Sequence, residues 1–449
     1  MLCGDALGWK DASPMTRELH HFGLSRRAFL ASGLASGMGL TACGAPNLAR
    51  PYGHGVALRD GQAAMLDRQF VALLGRHRVP GLAAGIIRDG QLAWAKGYGW
   101  ADIENRRPMT AETIQNIGSV TKTLTTTLAL QDVEAGRLDL DGDIGRYLEF
   151  PIRNPKHSHV PITLRQLLTH RSSIRDGVAY GQSYRCGDQT VSLAEWLKGY
   201  FDASAQSDHF HAWAPGTLDP PSSPRAYSNV AFGLVGLLSE RVGGKPYATL
   251  CQERIFVPLG MGSSGFRLDT VDRRREAVPY KTLAGDLKPD DLSEPERAFA
   301  RYPDKIPQAG EHFPFCSYSF ATPPDGLMRT SIRDLAQFLS AWIGNGARPG
   351  SPGAAAAILS ADTAAMALAP VHYGHALGWN AVHRYFGSDD PIPGSPLIGH
   401  NGSDPGIGAV AVFRPQDRTG FVMMFNTFYS DAIANDGLKL YLRTLAATG

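Results

Sequence analysis

Ser119 and Lys122 stand three residues apart in "NIGSVTKTL". A serine hydroxyl is a weak nucleophile until a neighbour takes its proton. Positions i and i+3 of a helix share a face, so Lys122 reaches Ser119 without help from the rest of the fold. A lysine serves as base when burial and nearby positive potential weaken its hold on the proton. A helix N-terminus supplies such potential, and its free N–H groups can meet an oxyanion. The same residues also describe a plain helix start, with Ser119 as N-cap and Lys122 in water. Ser-x-x-Lys occurs only once in the chain.

Two further stretches carry polar groups suited to the same reaction. "RAYSNVAFG" places Tyr227 and Asn229 directly ahead of a helical pattern. Tyr227 is a candidate for a second proton carrier, provided cationic neighbours favour its phenolate. Asn229 could bond both Lys122 and a substrate carbonyl. A core tyrosine beside an N-cap at Ser228 or Asn229 is the alternative. "IGHNGSDPGIGAVAVF" places His400, Asn401 and Gly402 before a strand-like run. A strand with a small glycine can approach a bound acyl group and pair with its backbone. A glycine-rich turn with a surface histidine fits as well, and His-x-Gly recurs at His372.

The elements that must position these groups are legible in outline. Asp60 to Arg78 has the spacing of an amphipathic helix. "GLAAGIIRDGQLAWAKGYGWAD" reads as two strands turning at Asp89-Gly90. Near the other end, "GAVAVFRPQDRTGFVMMFN" reads as two strands around Pro415 to Thr419, and Ser430 to Thr448 as a closing helix. Hairpins at both ends predict an α/β chain with one antiparallel sheet flanked by helices. Between them, Ser119–Ala135, Pro161–His170 and Ser228–Gly244 read as helices. A mostly helical insertion is therefore expected over about 112–265. Residues 270–320 are rich in proline and charge, as in a substrate-shaping segment or a surface insertion.

The order and spacing of the three sites matter more than any one alone. From Ser119 to Tyr227 is 108 residues, and from Tyr227 to His400 is 173. With "VEAGRLDLD", "ITLRQLLTH", "ERIFVPLGM", "GLMRTSIRDLAQF" and "HALGW", the sequence resembles the penicillin-recognising serine hydrolases from about Leu66 to Leu445. That family includes class C β-lactamases, D-alanyl-D-alanine carboxypeptidases, D-aminopeptidases and Ser-x-x-Lys carboxylesterases. The resemblance implies a β-lactamase/transpeptidase-like fold over residues 57–449 and no cofactor or metal. Ser119 would be acylated, with Lys122 and Tyr227 shuttling protons. Asn229, His400, Asn401 and Gly402 would bind substrate. The backbone N–H groups of Ser119 and Ser403 would form the oxyanion hole. His400 stands where β-lactamases keep a lysine, and would give positive or hydrogen-bonding character near a substrate carboxylate. "HRSS" (His170–Ser173) departs from the "HTSG" of many relatives, which puts the local turn in question. Peptide or amide cleavage is the favoured reading, then ester cleavage or acyl transfer, then β-lactam hydrolysis. A slow-turnover penicillin-binding lipoprotein is the non-catalytic alternative.

The remaining sequence bears on location and partners. The 44 basic and 42 acidic residues leave a net charge of +2, so no basic field favours nucleic acid. The expected partner is a small-molecule or peptide substrate. "SRRAFLASGLASGMGLTACG" resembles a twin-arginine export signal ending in a lipobox. Its apolar run is too short to span a membrane. Residues 1–43 would be the leader, with Cys43 lipidated as the only membrane attachment; plain cleavage nearby is the alternative. In an oxidising compartment, Cys186 and Cys316 are the expected disulfide, while Cys251 has the spacing of a core residue. No Cys/His spacing matches a zinc site.

Overall fold

The structure is a computed structural model that describes residues 57–202, 225–283, 298–301, 311–344, 358–371, 374–394 and 396–446. The leader with Cys43 lies outside the described residues. Helix α1 spans Asp60–His77 and ends as Arg78 turns left-handed, φ 51°. Strands β1 (Gly81–Arg88) and β2 (Gln91–Asp102) follow. Asp89 and Gly90 between them both have positive φ, 50° and 73°. A two-residue turn of this kind matches the twist of the strands it joins.

A short strand β3 (Arg107–Pro108) precedes the helical part. Strands β4 (Asn380–Val382), β5 (Leu397–Asp404), β6 (Ile407–Arg414) and β7 (Thr419–Phe425) come late in the chain. Together they form one antiparallel sheet in the order β4-β5-β6-β7-β1-β2-β3. The two ends of the sequence meet where Leu82 pairs with Phe425 and Ile86 with Phe421.

Side chains alternate across a strand, and both faces of this sheet are covered. Leu82, Ala84, Ile86, Phe421, Met423 and Phe425 face α1 and the last helix, α5 (Asp431–Ala446). Ala83, Ile87, Val422 and Met424 face α4 (Ile332–Ile343) through Ile332, Leu335 and Leu339. Burial on both sides explains why these strands read as unbroken apolar runs.

The helical insertion centres on α2 (Thr121–Glu134) and α3 (Asn229–Gly243). Six of the eight residues of "TKTLTTTL" are polar, yet every one of the eight is buried. Its threonines satisfy their own hydroxyls on the preceding turn: Thr123, Thr126 and Thr127 each donate to a backbone carbonyl at 2.8 Å. The short helix Leu164–Leu168 opens with a capping box between Thr163 and Gln166. It starts later than Pro161.

Within 270–320, the described parts are built into the wall beside the site. Tyr280–Thr282 pairs with His312–Pro314, and Arg185–Cys186 pairs with Tyr318–Ser319. Phe299, Phe313, Phe315 and Tyr318 form a small apolar cluster touching Tyr184. Residues 284–297 and 302–310 lie outside the described residues. A disulfide joins Cys186 to Cys316, with Cα atoms 5.8 Å apart, and Cys251 is free and buried. The bond closes a long loop, so the Cys186→Ser/Cys316→Ser variant is expected to lose about 2–5 kcal/mol of stability. Urea unfolding with and without reductant measures this; coincident curves for wild type and variant would remove the bond from the stability account.

Candidate active site

The nucleophile turn is built by close backbone approach. Gly118 has φ +52°, and a Cβ there would lie 2.8 Å from the Ser403 nitrogen. Across the gap, a Cβ on Gly402 would lie 1.9 Å from the Ile117 carbonyl oxygen and 3.3 Å from the Ser119 nitrogen. Only glycines let β5 press onto this turn. The Ser119 and Ser403 nitrogens are thereby brought into one small space.

Ser119 is not an N-cap. It lies in a 3-10 turn, Gly118–Val120, and the α-helix begins at Thr121. Turn and helix are continuous, so Lys122 still lies over Ser119. Lys122 Nζ donates to Ser119 Oγ at 3.1 Å, Asn229 Oδ1 at 2.6 Å and the Asp325 carbonyl at 2.7 Å. Its side chain is 0% exposed, between the Tyr227 and Phe232 rings. An ammonium has three N–H bonds, and three acceptors meet it. The reading of Lys122 as a solvated side chain is thus set aside.

Tyr227 donates from Oη to Ser119 Oγ at 2.7 Å. His170 clasps the segment around it. The His170 carbonyl accepts the Ala226 N–H at 2.9 Å, and its Nδ1 accepts the Ser228 N–H at 3.2 Å. The His170 and Tyr227 rings pack with centroids 4.2 Å apart, tilted 30° to one another. Burial, then Arg225 and Lys122, hold His170 neutral. The Arg225 guanidinium lies 5.4 Å from the Tyr227 ring, the cationic neighbour sought in the sequence. Ser173 takes the left-handed conformation, φ 61°, that glycine adopts without steric cost, and Asn154 Nδ2 donates to its Oγ at 2.9 Å.

Asn229 opens α3 behind the N-cap Ser228. Asp176, not singled out in the sequence, fixes its amide. Asp176 accepts from the Asn229 backbone and Nδ2, the Ser228 hydroxyl and the Val230 N–H, at 2.8–3.0 Å. With Nδ2 turned to Asp176, Oδ1 faces Lys122. Of the two bonds expected for Asn229, the one to Lys122 is in place, while an Nδ2 proton is committed to Asp176. Asp176→Ala is expected to slow acylation on the order of 10²-fold, because the amide can then turn away from Lys122. It also strips the Asn229 and Val230 N–H groups at the start of α3 of their acceptor and destabilises the fold by about 3 kcal/mol. The labelling rate of Ser119 and a denaturation curve read the two effects; an unchanged labelling rate would show that Asn229 holds its own orientation.

His400, Gly402 and Asp404 share one face of β5, by strand alternation, and Gly402 puts that face against Ser119. His400 Nδ1 lies 2.6 Å from the Asn401 carbonyl. A carbonyl only accepts, so Nδ1 carries the hydrogen. Burial, then the Lys122 charge, push the imidazole pKa down to about 3. Of the positive or hydrogen-bonding character expected of His400, the geometry favours the second: the ring is neutral and Nε2 is an acceptor. Asn401 points its side chain to the opposite face, and only its carbonyl serves the site.

Comparison with known proteins fits this geometry to a family. The sequence model of the Beta-lactamase family matches residues 66–445. The chain belongs to the Beta-lactamase family. Over 224 residues it is 30% identical to a D-aminopeptidase of Cereibacter sphaeroides, covering 48% of this chain and 39% of that one. Over 219 residues it is 32% identical to the esterase EstB of Burkholderia gladioli, covering 49% and 54%. The chain thus spans roughly half or less of the length of these relatives. Among solved structures, D-amino acid amidase from Ochrobactrum anthropi superposes with a TM-score of 0.63 at 22% identity, covering 87% of this chain and 99% of that one. That likeness shows the β-lactamase-family fold.

Asp176, His170 and Asp325 were missed in the sequence for one reason. Their roles are second contacts, made to other site residues, and no spacing rule announces them. Asp404 sits openly in "GHNGSDPG", but its burial does not.

Proposed function

We propose that this Beta-lactamase-family domain cleaves an amide or peptide bond through an acyl-enzyme on Ser119. The contact that carries the reading is Tyr227 Oη–Ser119 Oγ–Lys122 Nζ, at 2.7 and 3.1 Å. Once the Tyr227–Lys122 pair has given up one proton to solvent, Ser119 Oγ attacks the carbonyl carbon and its own proton passes into the vacancy in the pair. The Ser119 and Ser403 N–H groups receive the oxyanion. The same pair returns the proton to the leaving nitrogen as the C–N bond breaks. Water then attacks the acyl-enzyme and frees Ser119. An amide needs that second transfer more than an ester does, and a phenol hydrogen-bonded to the nucleophile can supply it.

Ester cleavage is the second reading, supported by the 32% identity to EstB. Hydrolysis of β-lactams ranks below both, because their carboxylate would meet a neutral His400. The test is turnover of D- and L-aminoacyl anilides, short D- and L-peptides, p-nitrophenyl esters and nitrocefin. A fluorophosphonate adduct mapped by mass spectrometry locates the nucleophile. Amide turnover with the adduct on Ser119 is expected. Turnover of esters alone moves the reading to an esterase, and a burst without turnover moves it to a binding protein.

Export with lipid attachment at Cys43 is proposed on the leader sequence, and the Cys186–Cys316 bond supports an oxidising compartment. Radiolabelled palmitate should enter the wild type and not Cys43→Ser.

A further inference from the structure

Two buried carboxyl side chains beside the nucleophile, Asp325 and Asp404, take no part in the chemistry above. Asp404 follows Ser403 on β5. Its Oδ2 accepts from Asn116 Nδ2 at 3.2 Å, and Asn116 Oδ1 accepts the Gly118 N–H at 2.7 Å. This link ties the strand that carries one oxyanion donor to the turn that carries the other. Asp404 Oδ1 lies 2.8 Å from the Tyr184 hydroxyl. That hydroxyl is hydrogen-bonded to Tyr180, and Tyr180 Oη donates to Asp325 Oδ1 at 3.0 Å. Two hydroxyls thus connect the two carboxyls.

We propose that Asp404 is a positioning residue for acylation, holding the two oxyanion donors in register through Asn116 and joined to Asp325 in a unit that carries one proton. This rests on the acyl-enzyme reading above.

Tyr184 and Tyr180 turned outward to the two carboxyls leave the contact between their own hydroxyls without a hydrogen, because three contacts share two hydroxyl hydrogens. A proton on Asp404 completes the row: its O–H would then donate to Tyr184, Tyr184 to Tyr180, and Tyr180 to Asp325. The groups facing Asp404 are Tyr184, Asn116, Tyr318, Asp325 and Lys122. Burial pushes Asp404 up to about 8 and Asp325 up to about 7. Lys122 bonds the Asp325 carbonyl at 2.7 Å, so Asp325 is the member it favours as an anion. As the pH rises through about 8, the unit loses its proton and becomes two carboxylates. The Asp404 charge then opposes the oxyanion, which slows acylation.

Asp404→Asn imitates the protonated acid: its Oδ1 can accept from Asn116 and its Nδ2 can donate to Tyr184. The experiment is the rate of fluorophosphonate labelling from pH 6 to roughly pH 10 in full-length wild type, D404N, Y184F and S119A. Above the midpoint, the wild-type rate is expected to fall roughly tenfold per pH unit. D404N labels more slowly overall but without that limb. Y184F removes a bond that favours the ionised form, so its limb moves to higher pH. It also serves where D404N folds poorly. A purely structural role would lower the rate equally at every pH. A wild-type limb retained in either folded variant overturns the proposal alone. Labelling that persists in S119A overturns the acyl-enzyme reading, and this proposal with it.

Discussion

Ser119→Ala is expected to lower turnover of every substrate the chain accepts by about 10⁴-fold or more, with the fold intact. The hydroxyl is the atom on which the other groups converge. Tyr227 and Lys122 both point hydrogens at it, and the Ser119 and Ser403 nitrogens proposed to receive the oxyanion lie on the turn and strand pressed together beside it. Without Oγ, the acyl-enzyme cannot exist. What remains is substrate binding and the oxyanion hole, which alone give a small residual rate. Ser119 is half-buried, so removing its oxygen changes stability by about 1 kcal/mol at most. Neither Tyr227 nor Lys122 depends on it for position: the first is clasped by His170, the second by Asn229 and Asp325. Steady-state kinetics and labelling by a fluorophosphonate probe check the result. Undiminished labelling of the variant would move the nucleophile elsewhere in the chain.

The sequence reading reached the sheet and the reacting atoms by different routes. The hairpins were legible because Asp89-Gly90 and the Pro415–Thr419 turn interrupt apolar runs of strand length. The closing helix was legible by its period, and the structure places it over Asp431–Ala446. Ser119, Lys122 and Tyr227 were found through rare spacings, and the structure brings them within hydrogen-bond reach. What sequence could not carry was burial. α2 looks half polar, since threonines that bond their own preceding turn cannot be told from solvated ones. His400 was left open between a cation and a hydrogen-bonding group, because nothing in "GHNGSDPG" reveals that a carbonyl holds its Nδ1 hydrogen. The 3-10 turn at Ser119 was read as helix because the two differ by one hydrogen-bond step, set here by β5 pressing on Gly118.

Lys122→Ala should be nearly as damaging as loss of the nucleophile, on the order of 10³-fold or more in the rate of acylation. Two variants separate its chemistry from its packing. Alanine leaves a cavity and strips the Asn229 and Asp325 carbonyl oxygens of their donor. Each buried acceptor left unpaired costs about 1–3 kcal/mol. Methionine keeps most of the stem volume between the Tyr227 and Phe232 rings and removes a buried charge. That charge was itself costly to bury, so the loss of its bonds is partly offset. Lys122→Met is therefore expected to fold more stably than Lys122→Ala and to label no faster. Both variants also leave Asp176 and the Asp325–Asp404 unit without their nearest positive charge, which raises the hold of these carboxyls on protons. Urea unfolding and pH-dependent labelling read the two sides together. If Lys122→Met labelled within tenfold of wild type, the proton would have another carrier, and Tyr227, 2.7 Å from the nucleophile, would be the group to assign it to.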